Sequence, residues 1–550
     1  MRAINILLAL LVSLLCGALV LEGGLRLLGR GPKSTINQFD PLTGWAKKPG
    51  AVGKRKTSEF NVTYKVNALG LRDSDTTAYA KPAGTFRVVC LGDSFTLGYT
   101  VSEHDLFVEQ LGRAWNSEGR KVDLVNAGTE GWSTDQEVAW FLSEGVKYQP
   151  DLVLIFPYEN DLYWNGQTQY ARFPKPRYSV DGKLDSGTLV DPGPIPWREH
   201  TALGLLLKKS VDPSGVLEIP WEDTKFSLKS GEKDEKPVVK KSAFLPREWA
   251  ALMVTPPDFM LDAQQRTRAA LALLRDQCAK SGSKLVLVPI PNKAAIQQGA
   301  EESLRRVVCL RDERWHPNQA VHTFLDAAQG LGIRAFDPTE TLRSIARTPE
   351  HAPGSEGEAD QPAPELYYAV DWHFNPRGNL EFARFLHDQL EGADVGLPPR
   401  AQGDAVASFT PPPRPPASKT WMFVFAGLWI ALTALYYGNY KDEPKWQPPL
   451  KVLGMLSAVF LIIFGVRFGM GLLPPAIAPK LVILFVLAIL GFVIWKLGRR
   501  MQTIAELAKA FVMRGHWYLM PLLVVLLSIG SLLVVAASSP LIAPFIYTLF

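Results

Sequence analysis

Cysteine is scarce in this chain, with only Cys16, Cys90, Cys278 and Cys309 in 550 residues. Four are too few for a disulfide scaffold, and no CxxC or Cys/His spacing suggests zinc. Cys278 and Cys309 are open to two readings, a disulfide if they lie outside the cytoplasm or two buried thiols. Histidine is sparse as well: His104, His200, His316 and His351 are scattered without ligand spacing, so neither a metal nor another cofactor is expected. The net charge of +5 is mild, and no dense basic tract with interleaved aromatics occurs, which excludes nucleic acid as a partner. No internal repeat is present. A small-x-small cleavage site is also lacking after the apolar stretch Ile4 to Leu21, where the chain continues "EGGLRLLGRG". With Arg2 before it, that stretch reads as a retained membrane anchor, and Leu14 and Leu15 are too bulky for a lipoprotein signal ahead of Cys16.

Long apolar runs are plentiful at the other end. They fall at roughly Trp421 to Tyr437, Leu450 to Leu473, Leu481 to Trp495 and Tyr518 to Ala537, each about the length that spans a bilayer. The loop between the last two carries Lys496, Arg499, Arg500, Lys509 and Arg514, whereas "PPAIAPK" has only Lys480. By the positive-inside rule the basic loop is cytoplasmic, which puts residues 31–418 outside and Arg2 inside. Arg26, Arg30, Arg414 and Lys419 run against that count. "PPPRPPASK" (411–419) is a stiff spacer of polyproline type, and the polar stretches 229–241 and 348–365 read as solvated insertions. The expected organisation is an anchor over 1–30, a small β annex over 31–80, an α/β domain over 81–398, a Pro-rich linker over 399–419 and a membrane domain of about four helices over 420–550.

Within the α/β region, short apolar runs alternate with amphipathic helical stretches such as "DAQQRTRAALALLRDQCAK". The runs are "FRVVCLG", "VDLVNAG", "DLVLIFPYE", "KLVLVPIP" and "IRAFDP". Runs without polar alternation suit strands covered on both faces, so the fold class is α/β with a doubly wound parallel sheet, flanked by the β annex and an α-helical transmembrane region. The loops after those strands hold the chemistry, since ligands of such sheets bind beyond the strands' carboxyl ends. "GDSF" puts Ser94 after the first run, "NAGTEGWST" puts Gly128 and Gly131 after the second, and "YEND" puts Asn160 after the third. "DWHFNPRGN", near the end of the domain, supplies Asp371 and His373. A serine hydroxyl becomes nucleophilic when an imidazole takes its proton, and a carboxylate fixes the imidazole's tautomer. The N–H groups of Ser94 and Gly131 and the amide of Asn160 are candidate oxyanion donors. Asp93 is expected to fix its loop and Gly128 to serve as a turn glycine, while Glu130 and Glu159 are open to touching substrate but expected first as solvated loop carboxylates. Trp132 and Trp164 are open to stacking on a sugar or to plain packing.

These four ordered blocks resemble the SGNH (GDSL-like) hydrolase superfamily over roughly residues 85–395. The resemblance implies Ser94 as nucleophile, Gly131 and Asn160 with Ser94 as oxyanion donors, and Asp371 and His373 as the rest of a triad. It implies an esterase or deacylase at the bacterial cell membrane, with its domain extracytoplasmic and an acyl ester of a cell-surface glycan or lipid as substrate. One residue separates Asp371 from His373, where many members have two, and this spacing is similar to that of SGNH-like enzymes of polysaccharide O-acetylation. An O-acyltransferase working beside a multi-span acyltransferase or glycan-synthesis protein is therefore the alternative, and a non-catalytic assembly or export component is a third reading. "YEND" lacks the family's usual glycine before Asn160. The C-terminal stretch ending "APFIYTLF" resembles a family of very short bacterial membrane proteins of unknown role.

Overall fold

Five apolar runs with no polar alternation can bury both faces only inside a sheet covered on two sides. In the computed structural model the runs at 86–92 and 152–156 do so, while the last, at 334–335, lies at the sheet's edge and stays partly exposed. The described residues are essentially 36–207, 216–220, 242–300, 314–349, 363–401, 420–439 and 444–454, with a few isolated positions besides. The chain forms two compact units, one of Ser34–Pro194 and Ser210–Pro413, the other of Met1–Lys33, Ile195–Lys209 and Arg414–Phe550.

The larger unit opens with two antiparallel hairpins, β1 (Asn37–Asp40) with β2 (Gly44–Lys47) and β3 (Val52–Lys56) with β4 (Asn61–Lys65). The five apolar runs then form β5 (Phe86–Gly92), β6 (Val122–Asn126), β7 (Leu152–Phe156), β12 (Lys284–Leu287) and β13 (Arg334–Ala335), with the short antiparallel pairs β8 (Gln169–Tyr170) with β9 (Phe173–Pro174) and β10 (Val216–Pro220) with β11 (Ser242–Pro246) between β7 and β12. The sheet is wholly parallel in the order β13-β12-β7-β5-β6. Its strand order reverses between β5 and β7, the switch point at which doubly wound folds open a crevice.

Helices cover both faces. Val89, Leu91, Val153 and Ile155 pack with the helices Thr134–Ser143, Asp258–Ser281 and Gln319–Leu331. The alternate residues Val88, Cys90, Leu152 and Leu154 pack with Phe107–Ser117, Thr339–Arg347 and Pro376–Glu391. Period-two alternation between two apolar layers explains why these strands contain no polar face. At the amino edge, the buried Arg87 guanidinium donates to Asp123 Oδ2 at 2.8 Å and to the carbonyls of Tyr79 and Tyr148, both at 2.9 Å. Nearby, Asp151 accepts from the Arg87 N–H at 2.7 Å and from Lys81 Nζ at 2.8 Å.

Residues 195–209, expected inside the α/β domain, cluster instead with the N-terminal segment. Glu22 supplies the reason, accepting the N–H groups of Ala202 and Leu203 at 2.9 Å where the helix Ala202–Leu207 begins. The helix Thr420–Asn439 coincides with the first expected C-terminal span, yet among the described residues no helix is long and apolar enough to cross a membrane. Most of the remaining expected spans, and the basic loop, lie outside the described residues. So does Cys309, while Cys90 and Cys278 are buried free thiols.

Candidate active site

Strand β5 ends at Gly92, and the chain turns into a four-residue helix, Ser94–Leu97, closed by Gly98 in the left-handed region at φ +69°. Asp93 caps that helix: Oδ1 accepts the Phe95 N–H at 2.8 Å, and Oδ2 accepts Ser94 Oγ–H at 3.2 Å. Ser94 is thereby held at the carboxyl edge of the sheet, its hydroxyl shared between Asp93 and the loops opposite.

The Asp/His loop closes between Tyr367 and Phe374, which pair as an antiparallel bridge. Asn375 then caps the helix Pro376–Glu391, with Pro376 in its first turn and Oδ1 accepting the Gly378 N–H at 2.9 Å. This fixed exit carries His373 over Ser94, with Nε2 2.7 Å from Oγ. On the other side of the ring, Nδ1 lies 2.6 Å from Asp371 Oδ1, and the same oxygen accepts the His373 N–H at 3.2 Å. Phe95 packs along the imidazole at 4.4 Å between ring centroids, and Tyr99 meets it edge-on at 4.9 Å. A hydroxyl, an imidazole and a carboxylate in series form the arrangement that moves a proton off an attacking oxygen.

Electrostatics divides the nearby acids. Burial pushes the Asp371 carboxyl up, but hydrogen bonds from His373, the His373 charge and Arg55 outweigh it and hold the group below its ordinary range. Burial raises Asp93 to about 6, with His373 working against it. Beneath them, Glu137 and Asp161 are fully buried and pushed well above the carboxylate range, by burial first and then by each other or by Asp93. Among the described residues, both Glu137 oxygens and Asp161 Oδ1 lack a hydrogen-bond partner. Asp93 and Asp161 stand in the GDSF and YEND blocks, yet nothing in those motifs shows that they gather with Glu137 in one buried group.

A cavity of about 250 Å³ opens beside Ser94, walled by Asn160 and His373 together with Tyr158, Trp164, Tyr170 and Trp249. Asn160 stands in the first turn of the helix Glu159–Trp164, after β7, and so flanks the switch point opposite Ser94. Gly131 does not line this cavity. Its turn, at φ +75°, stands behind Tyr170, and a Cβ there would lie 3.3 Å from that ring. Gly128 proves more than a turn residue, because a Cβ on it would come within 2.2 Å of the Leu97 N and 2.5 Å of the Thr96 carbonyl carbon. The glycine block therefore lies directly against the Ser94–Leu97 helix.

Several expectations change at the side-chain level. Glu130 is ion-paired with Arg55 rather than solvated. Glu159 lines the cavity, where burial raises it to about 7 against the opposing bond from Asn292. Trp132 is buried and donates its indole N–H to the Trp45 carbonyl at 2.9 Å, so it is unavailable to a sugar, whereas Trp164 is a cavity wall. Glu248 and Trp249 belong to no block and reach the cavity from the short helical segment Arg247–Leu252. Away from the site, Glu118, His387 and Glu391 gather their ligand atoms within 4.8 Å of one another. Arg120 and Arg400 each reach both glutamates, so two guanidinium groups already balance the two carboxylates.

A profile described as a family of unknown function (DUF5989) matches residues 501–550. No curated protein matches the chain. Similar solved structures include a lipase/acylhydrolase from Enterococcus faecalis at 12% identity, covering 56% of this chain and 96% of that one with a TM-score of 0.28. A GDSL-like lipase from Bacteroides thetaiotaomicron is 12% identical, covering 58% and 93% with a TM-score of 0.27. An acetyl xylan esterase is 11% identical, covering 56% and 100% with a TM-score of 0.28.

Proposed function

We propose that the α/β domain is an SGNH-type serine esterase or deacylase in which Ser94, His373 and Asp371 form the triad. The observation that carries this reading is the unbroken series from Ser94 Oγ to His373 at 2.7 Å and on to Asp371 at 2.6 Å. His373 Nε2 takes the hydroxyl proton as Oγ bonds to the ester carbonyl carbon, and Asp371 stabilises the imidazolium. The oxyanion accepts from the Asn160 amide and the Ser94 backbone N–H, the two expected donors that line the cavity. His373 then returns the proton to the departing alcohol oxygen, leaving an acyl-serine that water hydrolyses by the same relay. The small aromatic-walled cavity favours a short acyl group.

The substrate class in this reading is an acylated cell-surface glycan or lipid. Support for an extracytoplasmic, membrane-anchored enzyme comes from the apolar stretches at both chain ends and the basic loop 496–514. The single residue between Asp371 and His373 favours a second reading, an O-acyltransferase whose acyl-serine passes to a glycan hydroxyl instead of water. Outside the cytoplasm it would need a partner to deliver the acyl group across the membrane.

The test uses the full chain with a short-chain p-nitrophenyl ester and a fluorophosphonate probe. Wild type should hydrolyse the ester and become labelled, and Ser94→Ala should lose both. Undiminished turnover or labelling in Ser94→Ala refutes the nucleophile assignment. Labelling without hydrolysis points to the transferase.

A further inference from the structure

The β3–β4 hairpin reaches both walls of the site. From β3, Arg55 holds Glu130, the residue before Gly131, and its guanidinium lies 4.9 Å from the centroid of the Tyr99 ring. From the turn of the same hairpin, Glu59 reaches the Asp/His loop: Oε1 accepts the Val370 N–H at 2.9 Å and Oε2 accepts the Asp371 N–H at 2.8 Å. The loop is gripped from the other side by Lys293, whose ammonium donates to the carbonyls of Tyr368 at 2.6 Å and Ala369 at 2.8 Å. An anion thus takes two consecutive N–H groups and a cation two consecutive carbonyls, all outside any helix or strand ladder.

The spacing of the acid and base gives this grip its purpose. With a single residue between them, the Asp371 carboxylate must fold back to meet both the N–H and Nδ1 of His373. A turn that tight has little hydrogen bonding of its own, and two peptide N–H groups beside it would otherwise face water. Charge-assisted bonds from Glu59 fix their plane and so fix where the Asp371 side chain departs. We propose that the β3–β4 hairpin is a built part of the site and that Glu59 is the positioning residue for Asp371. The effect on turnover rests on the serine-hydrolase reading; the positioning itself does not.

Glu59→Gln and Glu59→Ala, made in the full chain with isotope-labelled histidine, test the proposal. A proton in a short Nδ1–H to carboxylate bond gives a far-downfield NMR signal, identified as the one missing from His373→Gln. Both variants should move or broaden that signal while the thermal unfolding transition is retained. kcat should fall about tenfold to a hundredfold, as for a small misplacement of reacting groups, with KM little changed. A merely structural role would lower the transition temperature and leave the signal of the folded fraction in place. A wild-type signal in both variants, or a wild-type kcat in an otherwise active protein, overturns the proposal. If wild type hydrolyses no ester, the serine reading fails by itself and the NMR signal alone decides the role of Glu59.

Discussion

Replacing Asp371 by asparagine separates two jobs that one carboxylate performs in the proposed triad. In serine hydrolases generally, the aspartate both sets the histidine tautomer and stabilises the imidazolium, and losing both costs about ten-thousandfold. Here the same oxygen, Oδ1, faces both the backbone N–H of His373 at 3.2 Å and Nδ1 at 2.6 Å. The backbone donor never changes sign, so it should keep an amide oxygen, not an amide nitrogen, turned toward the ring. The tautomer would then survive in Asp371→Asn, and only the charge would be lost. Two unit charges about 4 Å apart interact by about 4 kcal/mol at an effective dielectric of about 20. Partial exposure, 19% and 24% for the two side chains, makes that an upper value. At about 1.4 kcal/mol per tenfold, turnover should fall by up to about a thousandfold, not ten-thousandfold. Ester hydrolysis by the full chain, beside a thermal melt showing an unchanged fold, measures this. A variant within tenfold of wild type would refute the argument and hand the orienting role to another carboxylate.

Asn160→Ala should lower kcat by about a hundredfold to a thousandfold without affecting labelling of Ser94 to the same extent, as expected for one lost oxyanion donor; an unchanged kcat removes Asn160 from the mechanism. Lys47 is buried, donates to the Gly128 carbonyl and Thr129 Oγ1, and burial depresses it to about 7. Between about pH 7 and its ordinary value of 10.5, the unfolded chain binds a proton that the folded chain does not, so stability rises with pH there by up to about 1.4 kcal/mol per unit and gains nothing from this group below pH 7. Denaturant midpoints of Lys47→Met should lack that rise, and an unaltered slope would place the titration elsewhere. For topology, single cysteines at Glu232 and Thr503 should be reached by an impermeant thiol reagent on intact cells only at Glu232; the reverse pattern would move the domain to the cytoplasm.

The sheet and its loops were legible because burial on two faces forces uninterrupted apolar runs, and each chemistry-bearing loop directly follows such a run or precedes a capped helix. Ser94, Asn160, Asp371 and His373 could be located on that basis alone. Glu59 could not: it meets Asp371 across more than 300 residues, and a glutamate in a polar hairpin turn looks like any solvated charge. The same holds for Lys293 and Arg55, whose value lies in backbone groups and charges brought near only by folding. Glu159 reads as a solvated carboxylate, and Trp132 reads either way, for a related reason, since a loop position does not say which side of the loop packs inward. Trp249 enters the cavity from a segment with no periodicity to mark it. Ile195–Lys209 joins the N-terminal segment through Glu22, a partner about 180 residues away.

The central strand β5 bears its two kinds of polar chemistry at opposite ends, and this division affects how the protein can change over time. Arg87, Asp123 and Asp151 lock the amino edge with satisfied bonds, whereas Asp93, Glu137 and Asp161 crowd the carboxyl edge with buried acids, two of them carrying unpartnered oxygens. The lock can offset the strain at the far edge without touching it. Substitutions that alter the pocket can therefore accumulate while the amino edge keeps the sheet folded, and the cavity can be reshaped without redesigning the scaffold.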